Sequence, residues 1–423
     1  MLDIIKTTTF HNLSTLLSGT VLAQLVPILV MPFLTRTFEP QAFGVLSLFI
    51  GISGTISIAS CLRFELGIPQ AADDSVAKNI FVLSLFLVTV LTLLLSLVVW
   101  ISQSYLHDLL NLEGPTSVGF FILVIVAFLC SGIIQSSINR SIRFSDFSGI
   151  ALGKVIIATT YSLAQLLLGV FAVPTGLILG YISGQIFGAI YFFRKSISWL
   201  PSNLNQALFS EIKINAREYK NLPLYSAPSA MIDSFCSTLP ILVVTATYDL
   251  AVAGMLGLAH RILGIPASLI SLSVSQVIFQ KIASSDGLRP GFIRKIIFRS
   301  ICGLALVIIP FSLVIYLFGP DLFAFVFGEE WRLAGSYAGI LIIGIAIQFL
   351  ASPNSIVLTL KENIKIGALW QCSRLVSLSL VLFFARDYDF IVFLWLLVLH
   401  EVVIYSIYIW LIFIGAERRV SSN

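Results

Sequence analysis

Long apolar runs alternate with short polar breaks along almost the whole chain. A helix that crosses the hydrocarbon core of a membrane needs about 20 mostly apolar residues, and windows of that length predict about twelve such helices. We place them at 12–36, 42–68, 79–101, 118–139, 147–171, 174–194, 222–247, 250–279, 296–318, 334–356, 366–385 and 390–414. Lipid cannot satisfy backbone polar groups, and the runs are too long and uniformly apolar for barrel strands. The pattern therefore predicts an all-α, polytopic membrane protein.

The composition excludes a soluble fold. Hydrophobic residues make up 58% of the chain and charged residues 11%, with a mean hydropathy of +1.00. Soluble domains carry about 25% charged residues. The formal charge of +4 needs no nucleic-acid partner, because contact with membrane lipids through anionic headgroups accounts for it.

The basic residues fall almost entirely into every second polar break. One side of the membrane receives Lys6, Lys78, Arg140, Arg143, Lys154, Arg194, Lys195, Lys213, Arg217, Lys220, Lys281, Arg289, Arg294, Lys295, Arg299, Lys361, Lys365, Arg418 and Arg419. The other side receives Arg36, Arg332 and Arg386. Because Lys and Arg concentrate in cytoplasmic loops, we expect both termini in the cytoplasm and an even number of spans.

The longest polar interruption, 194–221, divides the chain into two halves. We predict an amino-terminal six-helix lobe at 1–195, a cytoplasmic linker at 196–221 and a carboxy-terminal six-helix lobe at 222–423. A short repeat supports the division. The letters PILV recur at 27–30 and 240–243, and GVLSL at 44–48 resembles GMLGL at 254–258. Since each half has an even number of spans, the axis relating the halves should stand along the membrane normal.

The linker contains charged residues spaced as on one amphipathic helix, which either lies on the membrane surface or is a solvated connector. The polar breaks on the other side are short, the longest being near 102–117 and 319–333, and neither can hold a catalytic domain.

Cysteine and histidine are scattered, so the sequence predicts neither a metal site nor a cofactor. The cysteines are Cys61, Cys130, Cys236, Cys302 and Cys372. No close pair has metal or redox spacing, and we expect free, buried thiols. The histidines stand equally apart, without the clustering of metal ligands. No nucleotide-binding loop is present, so ATP is not expected to drive the protein.

Several ionisable residues lie deep in apolar spans, where each costs at least about 2.5–3.5 kcal/mol. They are Arg63, Glu65, Asp233, Arg261, Arg374 and Glu401. One interpretation is substrate binding, in which the three arginines offer guanidinium forks to an anionic substrate. The alternative is internal pairing, in which Asp233 neutralises Arg261 and Glu65 a neighbouring arginine. The three carboxylates are thus candidates for ion coupling or charge pairing. Glu401, next to His400, either relays a cation or proton or bonds helix to helix.

Five fragments in order along the chain resemble one family. They are FLTRTFEPQAFG at 33–44, LRFELGIP at 62–69, REYKNLPLYSAP at 217–228, GMLGLAHRILGIP at 254–266 and FGPDLFAFVFGEEWRLAGSYA at 318–338. Together they resemble the polysaccharide biosynthesis flippases of the multidrug/oligosaccharidyl-lipid/polysaccharide (MOP) exporter superfamily.

The resemblance implies two six-helix lobes that open to alternate sides, and a flippase of the bacterial inner membrane. The implied substrate is an undecaprenyl-diphosphate-linked oligosaccharide, an O-antigen or capsule repeat unit. It also implies a cationic central cavity, in which Arg63 and Arg261 match by position. A polysaccharide polymerase and other assembly proteins are implied as further partners.

Other functions remain open on the sequence alone. A drug/cation antiporter of the same superfamily is one rival, and a lipid II flippase is another, although the latter has about two more helices. A membrane polymerase or ligase would carry a large periplasmic loop with catalytic residues, which this sequence lacks. A structural scaffold leaves the membrane-buried charges unexplained. We therefore expect a transporter rather than an enzyme.

Overall fold

The computed structural model describes residues 2–102, 115–200, 206–283, 291–359 and 363–421, and the regular elements within these ranges are all helical. The α-helices in them are α1 (Leu2–Leu34), α2 (Pro40–Ser57), α3 (Asp74–Ile101), α4 (Pro115–Arg143), α5 (Phe147–Val170), α6 (Gly176–Ser196), α7 (Gln206–Glu218), α8 (Ala227–Thr247), α9 (Leu250–Ala283), α10 (Phe292–Phe327), α11 (Arg332–Ala351), α12 (Ile364–Ala385) and α13 (Phe390–Ser421). Short 3₁₀-helices lie at Phe64–Gly67, Ile197–Trp199, Glu329–Trp331 and Ser352–Thr359, and a π-helical turn, Leu222–Ser226, precedes α8.

Each predicted span overlaps one of these α-helices. Among the described residues, 11 helices are long and apolar enough to cross a membrane, and Ser18–Leu34 of α1 is a shorter apolar helix. The remaining helix, α7, occupies the predicted linker, as its amphipathic spacing indicated. The prediction of an all-α, polytopic membrane protein is therefore confirmed. The predicted outer break near 102–117 lies largely outside the described residues.

Two predicted boundaries are wrong. The span predicted at 42–68 is interrupted, because α2 ends at Ser57 and a non-helical turn precedes Phe64–Gly67. The predicted break at 319–333 is mostly helix, because α10 continues through Pro320 to Phe327. Gly328, with φ 110° and ψ 158°, ends α10 in a conformation that favours glycine.

The cysteine prediction is partly wrong. None of the five forms a disulfide, and Cys61, Cys130 and Cys236 are buried, but Cys302 and Cys372 are exposed. Cys302 shares one face of α10 with Phe298 and Leu306, whose side chains are 61% and 79% exposed. In a membrane such a face contacts lipid. A thiol exposed there therefore remains in apolar surroundings, as a buried thiol would.

Contacts divide the chain into two compact units. Unit 1 comprises Met1–Phe38 and Val45–Thr238, and unit 2 comprises Glu39–Gly44 and Leu239–Asn423. This division places most of α8 in unit 1, whereas the predicted lobes divide at 196–221. The predicted lobes follow the repeat rather than contacts, and they stay a prediction.

In unit 1, α5 packs between α1 and α6, α6 also contacts α4, and α3 packs against α4 and α7. Ion pairs join the ends of these helices. Arg143 at the end of α4 bonds Asp74 at the start of α3 (Nε to Oδ1, 2.8 Å) and donates to the carbonyl of Ala71 (2.8 Å). Lys195 of α6 pairs with Asp146 before α5 (2.5 Å). These contacts fix the helix ends that the charge pattern assigns to the cytoplasm.

In unit 2, α11 packs against α9, α10 and α13, and α12 packs against α13. The glycines matched in the sequence repeat meet here. A Cβ on Gly44 at the start of α2 would lie 2.0 Å from the carbonyl oxygen of Leu250. A Cβ on Gly254 of α9 would lie 1.9 Å from the carbonyl oxygen of Pro40. Within unit 2, the start of α2 and helix α9 therefore approach each other backbone to backbone, at positions that leave no room for a Cβ.

Candidate functional site

The non-helical turn after α2 carries the first predicted site residue. Leu62 and Arg63 both have positive φ, 48° and 64°. This left-handed conformation costs a non-glycine residue of order 1–3 kcal/mol, and such strain concentrates at functional sites. Irregular backbone at membrane depth is tolerated only where protein buries it or water reaches it. The turn is thus a defined element with left-handed backbone at two residues, rather than a frayed helix end.

Helix α4 holds this turn in place. Gln135 donates from Nε2 to the carbonyl of Ser57 (3.3 Å), the last residue of α2. The Cys61 thiol lies 3.5 Å from the carbonyl oxygen of Gly132 and 3.3 Å from the Ser136 hydroxyl. These bonds satisfy polar groups that the end of α2 leaves open. Helix α4 therefore holds Ser57 and Cys61, the residues from which the turn leads to Arg63.

Arg63 lies beside a buried carboxylate. Its Nη1 is 3.9 Å from Oε1 of Glu65, a distance of ion pairing but too long for a hydrogen bond. The Glu65 side chain is 1% exposed and that of Arg63 is 26% exposed. Among the described residues, neither carboxylate oxygen of Glu65 accepts a hydrogen bond. Glu65 thus lies within ion-pairing distance of the guanidinium without a hydrogen bond to it, and Nε of Arg63 is itself buried without a hydrogen-bond partner among the described residues.

Arg374 lies in a different setting, in the interior of unit 2. Its side chain is buried, with the guanidinium carbon 5.3 Å from the ring centroid of Tyr405 and 5.8 Å from that of Trp370. Cations over aromatic faces are attracted by the ring quadrupole. Trp370 in turn donates from Nε1 to the carbonyl of Ile404 (3.3 Å). This placement supports a role in packing α12 against α13, and substrate binding by Arg374 stays a prediction.

A titratable cluster surrounds Glu401 on α13. His400 Nδ1 lies 3.7 Å from Glu401 Oε1, and His400 Nε2 lies 2.9 Å from the hydroxyl of Ser377 on α12. His260 of α9 interacts electrostatically with Glu401. On α11, Gly344 lies next to Glu401. A Cβ added to Gly344 would be 3.4 Å from the Cβ of Glu401. The structure thus places Glu401 beside His400 of the same helix, which contacts Ser377 of α12, and within electrostatic range of His260 of α9.

The chain matches the polysaccharide biosynthesis protein family over residues 33–335, which is most of its length. The protein belongs to this family. A search of curated proteins finds no match.

The fold is shared with transporters of the MOP superfamily. A MATE family multidrug resistance transporter in an inward-facing conformation is 14% identical, with a TM-score of 0.68 over 94% of this chain and 95% of that one. The lipid II flippase MurJ is 14% identical, with a TM-score of 0.68 over 92% and 85%. A Pyrococcus furiosus MOP transporter, described as having a binding pocket of reverse polarity, is 14% identical, with a TM-score of 0.58 over 97% and 94%. Identities this low establish the fold alone.

For this polysaccharide biosynthesis protein, the remaining predicted site residues lie in different units. Asp233 of α8 belongs to unit 1 and has an exposed side chain, and Arg261 of α9 belongs to unit 2 and is half-buried. Both take part in polar or electrostatic interactions. The predicted Asp233–Arg261 pair and the substrate role of Arg261 stay predictions.

Sequence reasoning missed the cluster partners Ser377 and His260. A signal was available, because His260, Glu401 and Ser377 each stand about ten residues from a helix end, which places all three near the membrane midplane. Polar residues at equal depth on separate helices are candidates for contact. The sequence does not tell which helices are neighbours. Among the described residues, no three His, Cys, Asp or Glu side chains are arranged to hold a metal ion.

Proposed function

We propose that the protein is a flippase that carries an undecaprenyl-diphosphate-linked oligosaccharide, an O-antigen or capsule repeat unit, across the bacterial inner membrane. Membership of a polysaccharide biosynthesis family supports the sugar substrate. The fold shared with MATE transporters and a lipid II flippase supports transport rather than enzymatic synthesis. Its partners are the lipid-linked substrate, the surrounding lipids, and the polymerase and other assembly proteins that receive the product.

The physical task explains why arginines lie in such a membrane protein. A diphosphate carries about two negative charges, and moving an ion into hydrocarbon without partners costs tens of kcal/mol. An arginine that offers fixed donors replaces part of the water that the headgroup loses. The lipid tail can stay in the bilayer throughout.

The observation that carries the proposal is the setting of Arg63. Its backbone is in the left-handed region, the buried Glu65 lies within ion-pairing distance of its guanidinium, and about a quarter of its side chain is exposed. Because Glu65 stands 3.9 Å away, it attracts the guanidinium without engaging its N–H groups in hydrogen bonds. The planar fork can therefore bind two phosphate oxygens at once, which lysine cannot do.

The test compares Arg63→Ala, Arg63→Lys and Arg386→Ala in proteoliposomes loaded with labelled lipid-linked oligosaccharide. Charge-assisted hydrogen bonds contribute about 1.5–3 kcal/mol, so Arg63→Ala should slow translocation by roughly 10- to 100-fold. Arg63→Lys should recover it only in part, because the charge remains and the bidentate geometry is lost. Arg386→Ala is the matched control, since Arg386 is exposed at the end of α12. An Arg63→Ala variant that flips substrate at the wild-type rate would contradict the proposal.

A deletion strain separates the rival functions. Loss of a flippase stops surface polysaccharide while lipid-linked repeat units are still made inside the cell. Failure to assemble the repeat unit itself would indicate an enzyme. Increased drug sensitivity with normal surface polysaccharide would indicate a drug antiporter of the same fold.

The role of Arg261 needs a separate experiment, because pairing with Asp233 is the alternative. If Arg261 binds the headgroup, Arg261→Gln abolishes transport at normal protein levels, and adding Asp233→Asn does not restore it. If the two residues only neutralise each other, each single substitution strands a charge and lowers the amount of folded protein. A double variant that restores both level and transport would exclude Arg261 from the binding site.

A further inference from the structure

Helix α8 exposes two different faces. Asp233 and Ser237 are both exposed, and because an α-helix turns by about 100° per residue they lie about 40° apart on one side. Phe235, which is 39% exposed, lies about 160° from Asp233, on the opposite side. In a membrane an exposed phenylalanine meets lipid, whereas an exposed carboxylate faces a water-filled space. Helix α8 therefore stands between lipid on one side and a hydrated space on the other.

A third side of α8 packs against α2 within unit 1. The Thr55 hydroxyl lies 3.1 Å from that of Ser234 and 3.0 Å from that of Thr238. Thr238 also donates to the carbonyl of Gly51 (3.3 Å). The later residue of α8 meets the earlier residue of α2, so the two helices run antiparallel. Because these hydroxyls bond one another and the backbone, this side of α8 serves packing.

Beside this contact, α2 leaves open space. A Cβ added to Gly54, the residue before Thr55, would meet no atom of the described residues within 4 Å. Asp233 likewise stands one residue before Ser234, the contact residue of α8. In an antiparallel pair, the residues that precede the contact on each helix turn to the same side, about 100° away from it. Gly54 and Asp233 therefore border one open face of the α2–α8 pair.

Arg63 lies near the start of the same helix. The 3₁₀-helix Phe64–Gly67, directly after Arg63, packs against the π-helical turn Leu222–Ser226 that leads into α8. Asp233 follows this turn by about seven residues, or about 10 Å at about 1.5 Å per residue. A positive and a negative side chain thus follow each other along the α2–α8 pair.

The charge of Asp233 decides which part of a substrate can lie beside it. Asp233 is the only charged residue of α8, and α2 has none. An ionised carboxylate repels phosphate and only accepts hydrogen bonds. Asp233 takes part in other polar or electrostatic contacts, but a carboxylate has about four lone-pair sites and can accept from a ligand as well. A group that donates hydrogen bonds without negative charge fits this place, as a sugar hydroxyl does.

We propose that Asp233 and Ser237, with the open space beside Gly54, form a subsite for the sugar hydroxyls of the lipid-linked substrate, separate from the diphosphate site at Arg63. Ser237 donates to the backbone carbonyl of Asp233 (3.1 Å), and its oxygen can accept from a hydroxyl on the same side as the carboxylate. The identity of the ligand rests on the proposed function as a flippase. The hydrated face of α8 does not depend on it.

The first experiment tests the two faces of α8 without substrate. Ser237→Cys and Phe235→Cys are made in a Cys302→Ala, Cys372→Ala background, which removes the exposed thiols, and are treated in proteoliposomes with a charged methanethiosulfonate. Because the reactive thiolate forms in water and not in lipid, Ser237→Cys should react at least about 10-fold faster. Equal rates, or an unreactive Ser237→Cys, would overturn the proposal.

The second experiment measures equilibrium binding of two lipids to the purified protein. One is the undecaprenyl-diphosphate-linked oligosaccharide, and the other is undecaprenyl diphosphate without sugar. Asp233→Asn keeps the shape and removes the charge, so its affinity for the sugar-bearing lipid should fall roughly 10-fold, while its affinity for the sugar-free lipid should not fall. Phe235→Leu, on the opposite side of α8, is the matched control. Equal losses for both lipids in Asp233→Asn would contradict a sugar subsite.

A variant on α2 keeps the test decisive if Asp233→Asn does not fold. Gly54→Leu places a side chain in the open space, and Gly54→Ala is its control, since an added Cβ meets no described atom within 4 Å. Gly54→Leu should weaken binding of the sugar-bearing lipid by roughly 10-fold, because one overpacked side chain costs about that much, and should spare the sugar-free lipid. A Gly54→Leu protein that binds both lipids as the wild type does would show that the subsite is wrongly placed.

The outcomes separate the subsite from the proposed function. A wild type that binds both lipids equally tightly and still translocates the sugar-bearing one would refute the subsite and leave the flippase function intact. A wild type that binds and translocates neither lipid would refute both. If Asp233→Asn abolishes binding of tetraphenylphosphonium and leaves binding of the sugar-bearing lipid unchanged, the face binds organic cations and the proposal is wrong.

Discussion

The crossing of α2 and α9 offers a sharp test of the packing in unit 2. A Cβ added to Gly254 would stand 1.9 Å from the Pro40 carbonyl oxygen and 2.8 Å from the amide nitrogen of Gly44. Both obstacles are backbone atoms, so rotation of a side chain cannot remove the clash. We therefore expect Gly254→Ala to separate the two helices or to distort their ends.

The expected magnitude follows from two opposing effects. Overpacking costs typically 1–3 kcal/mol, and about 3 kcal/mol is reasonable where only backbone can move. Alanine recovers about 1 kcal/mol of helix propensity over glycine. The free energy of unfolding should then decrease by about 2 kcal/mol. At about 2–4 °C per kcal/mol for a unit of this size, the Tm should fall by about 4–8 °C.

Thermal unfolding of the purified protein in detergent, followed by loss of the monodisperse peak in gel filtration, measures this shift. Gly303→Ala on α10 is the matched control, because no atom lies within 4 Å of the added Cβ. Gly44→Ala should resemble Gly254→Ala, since its Cβ would meet the Leu250 carbonyl. The double variant should lose less than the sum, because both changes open one crossing. A Gly254→Ala protein as stable as Gly303→Ala would refute the close contact.

Two further predictions concern topology and a turn. Reporter fusions at Lys213 should be active in the cytoplasm and fusions at Glu330 in the periplasm, following the basic residues; the opposite pattern would reverse the orientation. Tyr248→Phe should lower the free energy of unfolding by about 1 kcal/mol, because the phenol donates to the carbonyl of residue 388 (2.9 Å). Burial, with the carboxylates of Asp389 and Asp387, raises the pKa of Tyr248. The folded protein therefore favours the neutral phenol, and the stability difference between wild type and Tyr248→Phe should shrink as the pH rises above about 10; a difference that stays constant would contradict this.

Hydropathy predicted the helices well because the hydrocarbon thickness sets their length. It failed at 58–63 because the residues there are as apolar as a helix, and hydropathy is blind to backbone angles. The end of α2 is set by tertiary contacts, above all the bond from Gln135 to the Ser57 carbonyl and the packing of Cys61 on α4. The sequence analysis also missed the extension of α10 past Pro320, because there it predicted a break where the helix in fact continues. Glycine and proline predict a break, but a short polar sequence between long helices can remain helical.

The cost of inserting a charge into the membrane explains why the sequence analysis treated Arg63 and Arg374 alike, as candidate substrate-binding residues. Both are arginines in apolar stretches, and a scale that depends on depth alone assigns them the same cost. What separates them is the partner that meets each charge. Arg374 lies within a regular helix, and its guanidinium meets the faces of Trp370 and Tyr405 inside unit 2. Arg63 lies on a strained turn beside a single carboxylate and keeps part of its surface open. A charge that the protein fixes but does not fully bind is the one suited to meet an anionic headgroup.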